Sequence, residues 1–437
     1  MALSTQPYKG ARDFYPEDKR LQKYMFGKLR QVAESFGYEE YDAPILEPLE
    51  LYLAKTGEEI VTEQTYVFED RGERKVVIRP EMTPTVSRMV AAKRQELAYP
   101  LRWYSIPNLW RYERPQKGRL REHWQLNVDI FGVAGIEAEY EIIQLADQIF
   151  KSFGAQADMY TIKLNSRKLM DHLLGEYLGF DDVQQLSIAK LIDRMHKIST
   201  ADFATQLDAL CSPSQREAGV DTKLQDILAA KQFQQLPDDL QQHPSVQQLQ
   251  MVLTRLKDAG VTNAMFDITI MRGFDYYTDI VFEVVDNDPT NNRSMLGGGR
   301  YDGLVGLFGV EPVPTVGFGF GDVTLAEFLK GHNLLPQMPT ETDLYIVFVG
   351  DSLQKSQKII ADLRGMAVNV AVDLSGKKLG DQFKSADKKG ITYALVIGEK
   401  ELAEERFTLK NLKSGTEEQH SLERIVSIVK DRRQQND

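Results

Sequence analysis

The stretch RYERPQKGRLREHWQLNVDIFG, residues 111–132, begins with a cluster of basic side chains that could bind a phosphorylated ligand. Five basic residues fall within eleven positions: Arg111, Arg114, Lys117, Arg119 and Arg121. Arginine offers planar, paired donors that match the geometry of phosphate oxygens. The chain as a whole carries a net charge of −11, so this cluster indicates a local binding site and not a general affinity for nucleic acid.

The rest of this stretch alternates polar and apolar residues in the way a β-strand does. Successive side chains of a strand point to opposite faces. The polar face would carry Arg121, His123, Gln125, Asn127 and Asp129. The apolar face would carry Leu126, Val128 and Ile130. A solvated strand beside a basic turn explains this pattern about as well as a ligand site does. The mixture of amides, carboxylates and arginines favours a polar ligand, bound by Gln125 and Asp129 beside its phosphates.

Two further segments carry side chains suited to the same kind of ligand. VIRPEMTPT brings Glu81 and Thr83 to the end of a strand, where Glu81 could bind an ammonium group. RGFDYYTDIVFE places Arg272 beside Tyr276 and Tyr277 in a strand context. Tyrosines at such positions are packed core residues about as often, so each segment is weak evidence alone.

Two glycine clusters permit the backbone to approach another group closely. They are LGGGRYDGL, residues 296–304, and VGFGFGD, residues 316–322. Neither is followed by the Gly-Lys-Ser/Thr of a P-loop, and neither has the dinucleotide-binding spacing. Tight turns would explain the same glycines about as often.

Composition sets the broad class of protein. A length of 437 residues predicts roughly three domains. The single cysteine, Cys211, excludes an internal disulfide framework and favours a reducing compartment. The six histidines have no metal-ligand spacing, so no metal site is predicted. Without an apolar signal core or a long apolar run, we expect a cytoplasmic protein with no membrane contact.

The pattern along the chain predicts an α+β fold. A helix over 18–36, strands between 65 and 132 and a helix over 137–153 form a first sheet domain over 1–166. Residues 167–262 are Gln- and Leu-rich and read as a helical insertion, after which the sheet domain resumes over 263–330. Separate second and third domains are the alternative. A linker over 331–342 precedes strand–helix alternation, which predicts an α/β domain with a mostly parallel sheet over 343–437.

RYERPQKGR, RGFDYYT and LGGGRYDGL match the signatures of one family nearly letter for letter. The chain resembles the histidyl-tRNA synthetases, which are class II aminoacyl-tRNA synthetases, over its whole length. The resemblance implies a class II antiparallel-sheet catalytic domain with a helical insertion, plus a C-terminal α/β anticodon-binding domain. It also implies ATP and Mg²⁺ as cofactors. The implied partners are histidine, the tRNA specific for histidine and a second copy of the chain, which forms a homodimer through the stretch near Pro44.

The resemblance implies a two-step reaction, in which histidyl-adenylate forms and the histidyl group then passes to the 3′ end of the tRNA. The matching catalytic positions are Arg111 and Arg272. The matching ATP-binding positions are Arg111, Glu113 and Arg119. The matching histidine-binding positions are Glu81, Thr83, Gln125, Asp129, Arg272, Tyr276, Tyr277 and Tyr301. Arg114 and Gln116 match positions for the acceptor end of the tRNA.

Three positions depart from the family pattern. Asp129 stands where the family usually has glutamate, and Met82 where it commonly has glycine. Thr324 replaces the arginine of the third class II motif, and we hypothesise that Arg300 or a magnesium ion compensates.

These departures leave other functions open. A non-catalytic, histidine-binding regulatory subunit of ATP phosphoribosyltransferase is the main alternative, although RGFDYY and the C-terminal domain favour the active enzyme. A module that only binds RNA would explain the basic loop but not the pocket of Gln125, Asp129 and Tyr277.

Overall fold

The computed structural model describes residues 3–53, 64–116, 118–271, 276–291 and 294–436. Its internal contacts divide the chain into two compact units. The first comprises Met1–Asp13 and Gln22–Leu335, and the second comprises Phe14–Leu21 and Pro336–Asp437. Within the described ranges no helix is long and apolar enough to cross a membrane.

The first unit is built on a large, mainly antiparallel sheet. Its strands are β1 (Glu39–Glu40), β2 (Leu46–Pro48), β3 (Tyr66–Glu69), β4 (Lys75–Ile78), β5 (Leu101–Ser105), β6 (Asn108–Trp110), β7 (Glu122–Phe131), β8 (Tyr160–Ser166), β9 (Ala264–Phe266), β10 (Ile280–Asp286), β11 (Ser294–Arg300) and β12 (Thr315–Gly321). Nine of these described strands form one sheet, in the order β1-β5-β7-β12-β11-β10-β8-β9 with β6 paired to β7. Only the β1–β5 and β8–β9 pairs of this described sheet are parallel. Strands β2, β4 and β3 form a separate antiparallel sheet.

Helices pack against this sheet and fill the long connection between β8 and β9. The helices up to residue 335 are α1 (Pro16–Ser35), α2 (Glu50–Leu53), α3 (Thr83–Ala92), α4 (Glu137–Ser152), α5 (Arg167–His172), α6 (Asp182–Asp193), α7 (Thr200–Leu210), α8 (Pro213–Glu217), α9 (Val220–Leu228), α10 (Asp238–Gln241), α11 (Pro244–Asp258) and α12 (Asp322–Gly331). Helices α5 to α11 lie in the region where the sequence predicts a helical insertion, and β8 and β9, on either side of them, are neighbours in the sheet. The domain boundaries themselves stay a prediction.

The second unit contains a five-stranded sheet among its described residues. Its elements are β13 (Leu344–Phe348), α13 (Gln357–Gly365), β14 (Val370–Val372), α14 (Leu379–Lys388), β15 (Tyr393–Ile397), α15 (Glu399–Glu404), β16 (Phe407–Asn411), β17 (Glu417–His420) and α16 (Leu422–Asn436). The sheet order is β14-β13-β15-β16-β17, with β14, β13 and β15 parallel and the last two strands antiparallel. The sequence did not predict β17, because its residues are polar and mostly exposed and lack the alternation that marks a half-buried strand.

Strand β7 is central to the first unit for a reason visible in the sequence. Its apolar residues Leu126, Val128 and Ile130 are at most 1% exposed, so one face of the strand belongs to the core. Within the region where the sequence predicts strands, the stretch LRWYSIPNLWRYE forms two strands, β5 and β6. Pro107 lies between them, and proline lacks the N–H that a continuous ladder requires.

Candidate active site

A polar cavity of about 130 Å³ lies on the polar face of β7. Its lining residues are Glu81, Thr83, Arg111, Gln125, Asn127, Asp129, Tyr276, Tyr277, Gly297, Tyr301, Gly317, Phe318 and Gly319. Every histidine-binding residue expected from the sequence is among them except Arg272, which lies outside the described residues. The expected histidine-binding side chains, which are separated by up to 220 positions in the chain, from Glu81 to Tyr301, therefore share one small site.

The glycines of β11 and β12 give this cavity its space. In the register of β12 with β7, Gly317 lies opposite Asp129, and a Cβ added to Gly317 would overlap the Oδ1 atom of Asp129. A Cβ added to Gly319 would overlap the Nε2 atom of Gln125. Gly298 in β11 is equally confined, because its Cβ would overlap the carbonyl oxygen of Gly317. These glycines lie inside strands, where they let neighbouring side chains and backbone approach closely. Of the two explanations that the sequence left open, close approach is therefore correct and tight turns are not.

A buried carboxyl group forms one end of the cavity. Asp129 is 4% exposed and accepts a hydrogen bond from the hydroxyl of Tyr301. Burial raises the pKa of Asp129 to about 7, although the hydrogen bond from Tyr301 acts in the opposite direction. Burial and the neighbouring Asp129 also hold the pKa of Tyr301 well above its usual value, so the tyrosine remains a donor.

A second buried carboxyl group, that of Glu81, forms the other end. The hydroxyl of Tyr276 lies 3.3 Å from the Oε2 atom of Glu81 and 3.5 Å from the Oγ1 atom of Thr83. The Tyr276 ring also packs against the rings of Tyr277 and Tyr301, with centroids 4.9 and 5.6 Å away. Tyr276 therefore hydrogen-bonds at the Glu81 end, while the three tyrosines together form a wall that connects Glu81 with Asp129.

Asn127 lines the cavity, although the family resemblance assigned it no role. Its Oδ1 atom accepts from the side-chain amide of Gln125 at 2.7 Å, and its own amide donates to the Gln125 carbonyl at 3.0 Å. These two bonds fix the orientation of Gln125 in the cavity. The alternation of β7 had placed Asn127 on the correct face, so the sequence contained the signal that would have identified it.

The basic loop between β6 and β7 lies beside the cavity, and Arg111 connects the two. The Nε atom of Arg111 donates to the Pro80 carbonyl at 2.9 Å, next to Glu81. Further along the loop, Arg119 is 57% exposed and pairs with Glu113 at 3.3 Å. The remaining loop residues with expected roles are Arg114 and Gln116, both exposed, while Lys117 lies outside the described residues. None of these loop residues except Arg111 is among the described lining of the cavity.

The three departures from the family pattern have different structural outcomes. Asp129 lines the cavity, as described above. Met82 is fully buried just before α3 and is not part of the described cavity lining, so its bulk does not narrow the site. The hydroxyl of Thr324, in the first turn of α12, lies 3.0 Å from the carbonyl oxygens of both Gly321 and Met295, which are the acceptors for its single hydrogen.

The hypothesis that Arg300 compensates for Thr324 is wrong. The guanidinium of Arg300 is 5% exposed and forms two bonds with the carboxylate of Glu139 in α4, at 2.6 and 2.7 Å. It also donates to the carbonyls of Val133 and Gly135, at 3.0 and 2.9 Å. Withdrawing a buried arginine from such a pair would leave an unpaired buried carboxylate, which typically costs about 3–5 kcal/mol. Arg300 therefore anchors β11 to α4 and is not available to a ligand.

The described residues contain no group of three or more His, Cys, Asp or Glu side chains that could hold a metal ion. A magnesium ion at this site would accordingly depend on ligands other than a cluster of such protein side chains, such as phosphate oxygens and water.

Two family models match the chain. Residues 10–322 match the model described as Histidyl-tRNA synthetase, and residues 343–432 match the one described as Anticodon binding domain. A Histidine–tRNA ligase from Leptospira biflexa is 42% identical over 432 residues, which cover 98% of each chain. A Histidine–tRNA ligase from Thermoplasma volcanium is 36% identical, over 98% of this chain and 99% of the relative.

Solved structures show the same fold. The crystal structure of histidyl-tRNA synthetase from Nostoc sp. PCC 7120 has a TM-score of 0.82 and 25% identity, and the match covers 99% of this chain and 100% of that one. A Bacillus halodurans protein, described as an ATP phosphoribosyltransferase regulatory subunit/histidyl-tRNA synthetase, shares the fold with a TM-score of 0.72 at 21% identity, over 91% of this chain and 99% of that one. The fold and the matching family models thus define a class II aminoacyl-tRNA synthetase.

Within that class, the chain belongs to the histidyl-tRNA synthetase family. The resemblance inferred from RYERPQKGR, RGFDYYT and LGGGRYDGL is confirmed, as is the predicted fold class. The regulatory-subunit alternative is not favoured, because close relatives over nearly the whole chain are Histidine–tRNA ligases.

Replacing Gly317 with alanine tests the role of the glycine strand. The added Cβ would overlap Asp129 Oδ1, so either Asp129 or β12 must move. We expect kcat/KM for histidine to fall about 100-fold, as a misplacement of about 1 Å can cause. The control is Gly303→Ala, where a Cβ meets no atom within 4 Å and activity should be retained. Equal activities of the two variants in steady-state assays would contradict this account.

The buried Asp129 should make stability depend on pH. Its pKa rises from 3.8 to about 7 on folding, so between these values the folded protein keeps a proton that the unfolded chain has released. Stability contributed by this group therefore falls as pH rises from about 4 to about 7 and stays low above that range. The Asp129→Asn variant has no carboxyl group to titrate at this position, so it should not lose this stability. Its free energy of unfolding should exceed that of the wild type by a margin that grows to about 4 kcal/mol by about pH 8. Urea denaturation at several pH values measures it, and a difference that does not change with pH would disprove the assignment.

Proposed function

We propose that this chain attaches histidine to its tRNA through a histidyl-adenylate intermediate. The observation that carries the proposal is the cavity, which has a buried carboxyl group at each end and Arg111 in its lining. Its volume of about 130 Å³ is below the ~300 Å³ at which sites for larger ligands begin, which suits an amino acid better than a whole nucleotide.

The two ends of the cavity suit the two polar ends of histidine. Asp129, oriented by Tyr301, would accept a hydrogen bond from the imidazole, with Tyr277 close by. Glu81, Thr83 and Gln125 would surround the α-ammonium group. A site that hydrogen-bonds a substrate group can reject analogues that lack the group by about 10⁴–10⁵-fold. Selection of histidine would follow from this pairing of acceptors with donors.

In the first step, a carboxylate oxygen of histidine attacks the α-phosphorus of ATP and pyrophosphate leaves. Arg111 would contact the α-phosphate, Glu113 the adenine and Arg119 the terminal phosphates. Arg272 is expected to act on the α-phosphate and the substrate carboxylate, but it lies outside the described residues. Catalysis of this kind comes from positioning and from charge stabilisation, so no protein nucleophile is required. Mg²⁺ would enter with the ATP phosphates and neutralise part of their charge.

In the second step, a hydroxyl of the terminal tRNA ribose attacks the histidyl carbonyl and AMP leaves. Arg114 and Gln116 are exposed in the loop beside Arg111, where they could contact the acceptor end. The anticodon-binding domain would contact the other end of the tRNA. Exposed lysines in and around α14 provide positive charge there: Lys377, Lys378, Lys384, Lys388 and Lys389.

Exchange of labelled pyrophosphate into ATP tests the first step without tRNA. We expect exchange with histidine and none above background with the other amino acids. Charging of the tRNA specific for histidine then tests the second step. A protein that binds histidine in calorimetry but supports no exchange would contradict the proposal and favour a regulatory role.

Arg114→Ala separates the two steps. Because Arg114 is exposed and outside the described cavity lining, pyrophosphate exchange should be unchanged. The KM for tRNA should rise about tenfold, since the loss of one charge-assisted hydrogen bond weakens binding by about this factor or more. Equal losses of activity in pyrophosphate exchange and in tRNA charging would show that Arg114 acts at the ATP site instead.

The homodimer is part of the same proposal. Apolar side chains on and beside the small sheet of β2, β4 and β3 are 44–45% exposed, namely Ile45, Leu46, Val67 and Phe68. Leu46 and Phe68 share one face of this sheet, because they lie opposite Ile78 and Val76, which are two residues apart in β4. A large exposed apolar patch is unusual on a monomer surface. Arg79 connects this region to the site, because its guanidinium donates to the Ala43 carbonyl at 2.6 Å and to the Asn108 carbonyl at 3.1 Å. A partner subunit packed here would therefore stabilise the strands that hold Glu81 and Arg111.

Phe68→Glu tests the dimer. A charge placed in a buried subunit contact should convert the dimer to monomer, as measured by light scattering after size exclusion. Leu374→Glu is the control, because Leu374 is an exposed leucine in the second unit and its replacement should leave the mass unchanged. A monomeric wild-type protein, or a Phe68→Glu variant that remains dimeric, would contradict the assignment.

A further inference from the structure

Asn165, near the end of β8, lies on the same face of the large sheet as the cavity. In the registers of the neighbouring strands, Asn165 lies opposite Val281, and Val281 lies opposite Gly299. Gly299 lies opposite Gly317, which in turn lies opposite Asp129. Directly opposed residues of antiparallel strands have their side chains on one face. One row of residues across five strands therefore leads from Asn165 to the buried carboxyl group of the cavity.

The side chain of Asn165 holds the segment that follows β9. Asn165 is fully buried, and its amide nitrogen donates to the backbone carbonyls of Ile268 at 2.8 Å and of Ile270 at 3.0 Å. A primary amide has two N–H donors, so this segment uses both of them. Two carbonyls that are two residues apart thus depend on one buried side chain for their hydrogen bonds.

The start of this segment has anchors of its own. The carboxylate of Asp267 pairs with Lys163 at 2.9 Å and accepts from the backbone N–H of Thr269 at 3.1 Å. The backbone N–H of Asp267 also donates to the Leu164 carbonyl at 3.0 Å. Loss of the Asn165 amide should therefore displace the segment and not detach it from the sheet.

The end of the segment packs against the tyrosines of the cavity. Ile270 is 7% exposed and belongs to a buried cluster whose other members are Tyr276, Tyr277, Val281, Tyr301 and Leu304. The ring of Tyr277 lies over the row that starts at Asn165, because a Cβ added to Gly299 would come within 3.0 Å of its Cδ1 atom. Closely packed interiors transmit displacements, so a shift of Ile270 should move the tyrosines that touch it.

We propose that Asn165 is a positioning residue for the histidine-binding site, which fixes the segment of Ile268 and Ile270 against Tyr276 and Tyr277. The inference rests on the proposed function, because it takes the cavity to be the site for histidine. Asn165 is not among the described residues that line the cavity, so its effect on the ligand passes through the segment and the tyrosines. Supporting residues of this kind keep a binding geometry precise in many sites.

Asn165→Ala removes both amide donors and tests the inference in pyrophosphate exchange. We expect the KM for histidine to rise about tenfold, because a misplacement of about 1 Å can cost about 100-fold and the remaining anchors limit the shift. The KM for ATP at saturating histidine should stay within about twofold of wild type, since a selective effect on one substrate identifies the binding site that was disturbed. A general loss of structure would not separate the two substrates in this way.

Asn263→Ala is the matched control. The amide of Asn263 also donates to a backbone carbonyl, that of Tyr160 at 2.9 Å, but it does so at the opposite end of β8. This variant loses the same kind of hydrogen bond away from the tyrosines, so its KM for histidine should remain that of the wild type. Equal rises in the two variants, or equal rises for histidine and ATP in Asn165→Ala, would overturn the inference, as would an unchanged KM for histidine in Asn165→Ala.

Ile270→Val decides the matter if Asn165→Ala does not fold. It removes one methyl group from the contact with the tyrosines and leaves the Asn165 amide in place, so the KM for histidine should rise by less than in Asn165→Ala. An unchanged KM for histidine in Ile270→Val would contradict the role of the segment. A wild-type protein without exchange would overturn the proposed function instead, and calorimetric binding of histidine by the same variants would still decide the role of Asn165.

Discussion

The close approach of β12 to the polar face of β7 is the constraint on which the site depends. Asp129 and Gln125 occupy the space that Cβ atoms at Gly317 and Gly319 would fill. Glycine weakens a strand because it has no side chain to pack, so this arrangement carries a cost in stability. The cost is compensated by the opposite face of β7, whose apolar residues are buried in the core. The strand thus combines a rigid apolar side with a polar side that can receive a ligand.

The side chains near β7 change from acidic at the cavity to basic towards the loop that precedes the strand. Buried carboxyl groups lie at the cavity, at Asp129 and Glu81, whereas arginines gather towards the loop, beginning with Arg111. The neutral ring of His123 lies between them, so that it adds no further positive charge. A substrate with a cationic end and an anionic end would be oriented by this polarity. In the proposed reaction, the same polarity would place the phosphates of ATP next to the substrate carboxylate that attacks them, which is the positional contribution that such a reaction requires.

Local patterns predicted the elements well but could not predict the contacts between distant segments. The period-two alternation of β7 identified its two faces, and the family signatures identified the residues that line the cavity. The same information could not show why Gly317 is needed, because that depends on the register between β12 and β7. Nor could it show that Arg300 is committed to Glu139, 161 residues away, or that Arg12 meets Asp322 across 310 residues. Such pairings are set by the tertiary fold and leave no periodic signal in the sequence.

A crystal structure of the protein with bound histidine would test the central claim most directly. The account predicts the imidazole within hydrogen-bonding distance of Asp129, the α-ammonium group at Glu81 and Thr83, and the carboxylate towards Arg111. Asp129 and Gln125 should keep their positions over Gly317 and Gly319, because the cavity is already formed. Histidine bound in the reverse orientation, or outside the face of β7, would contradict the account.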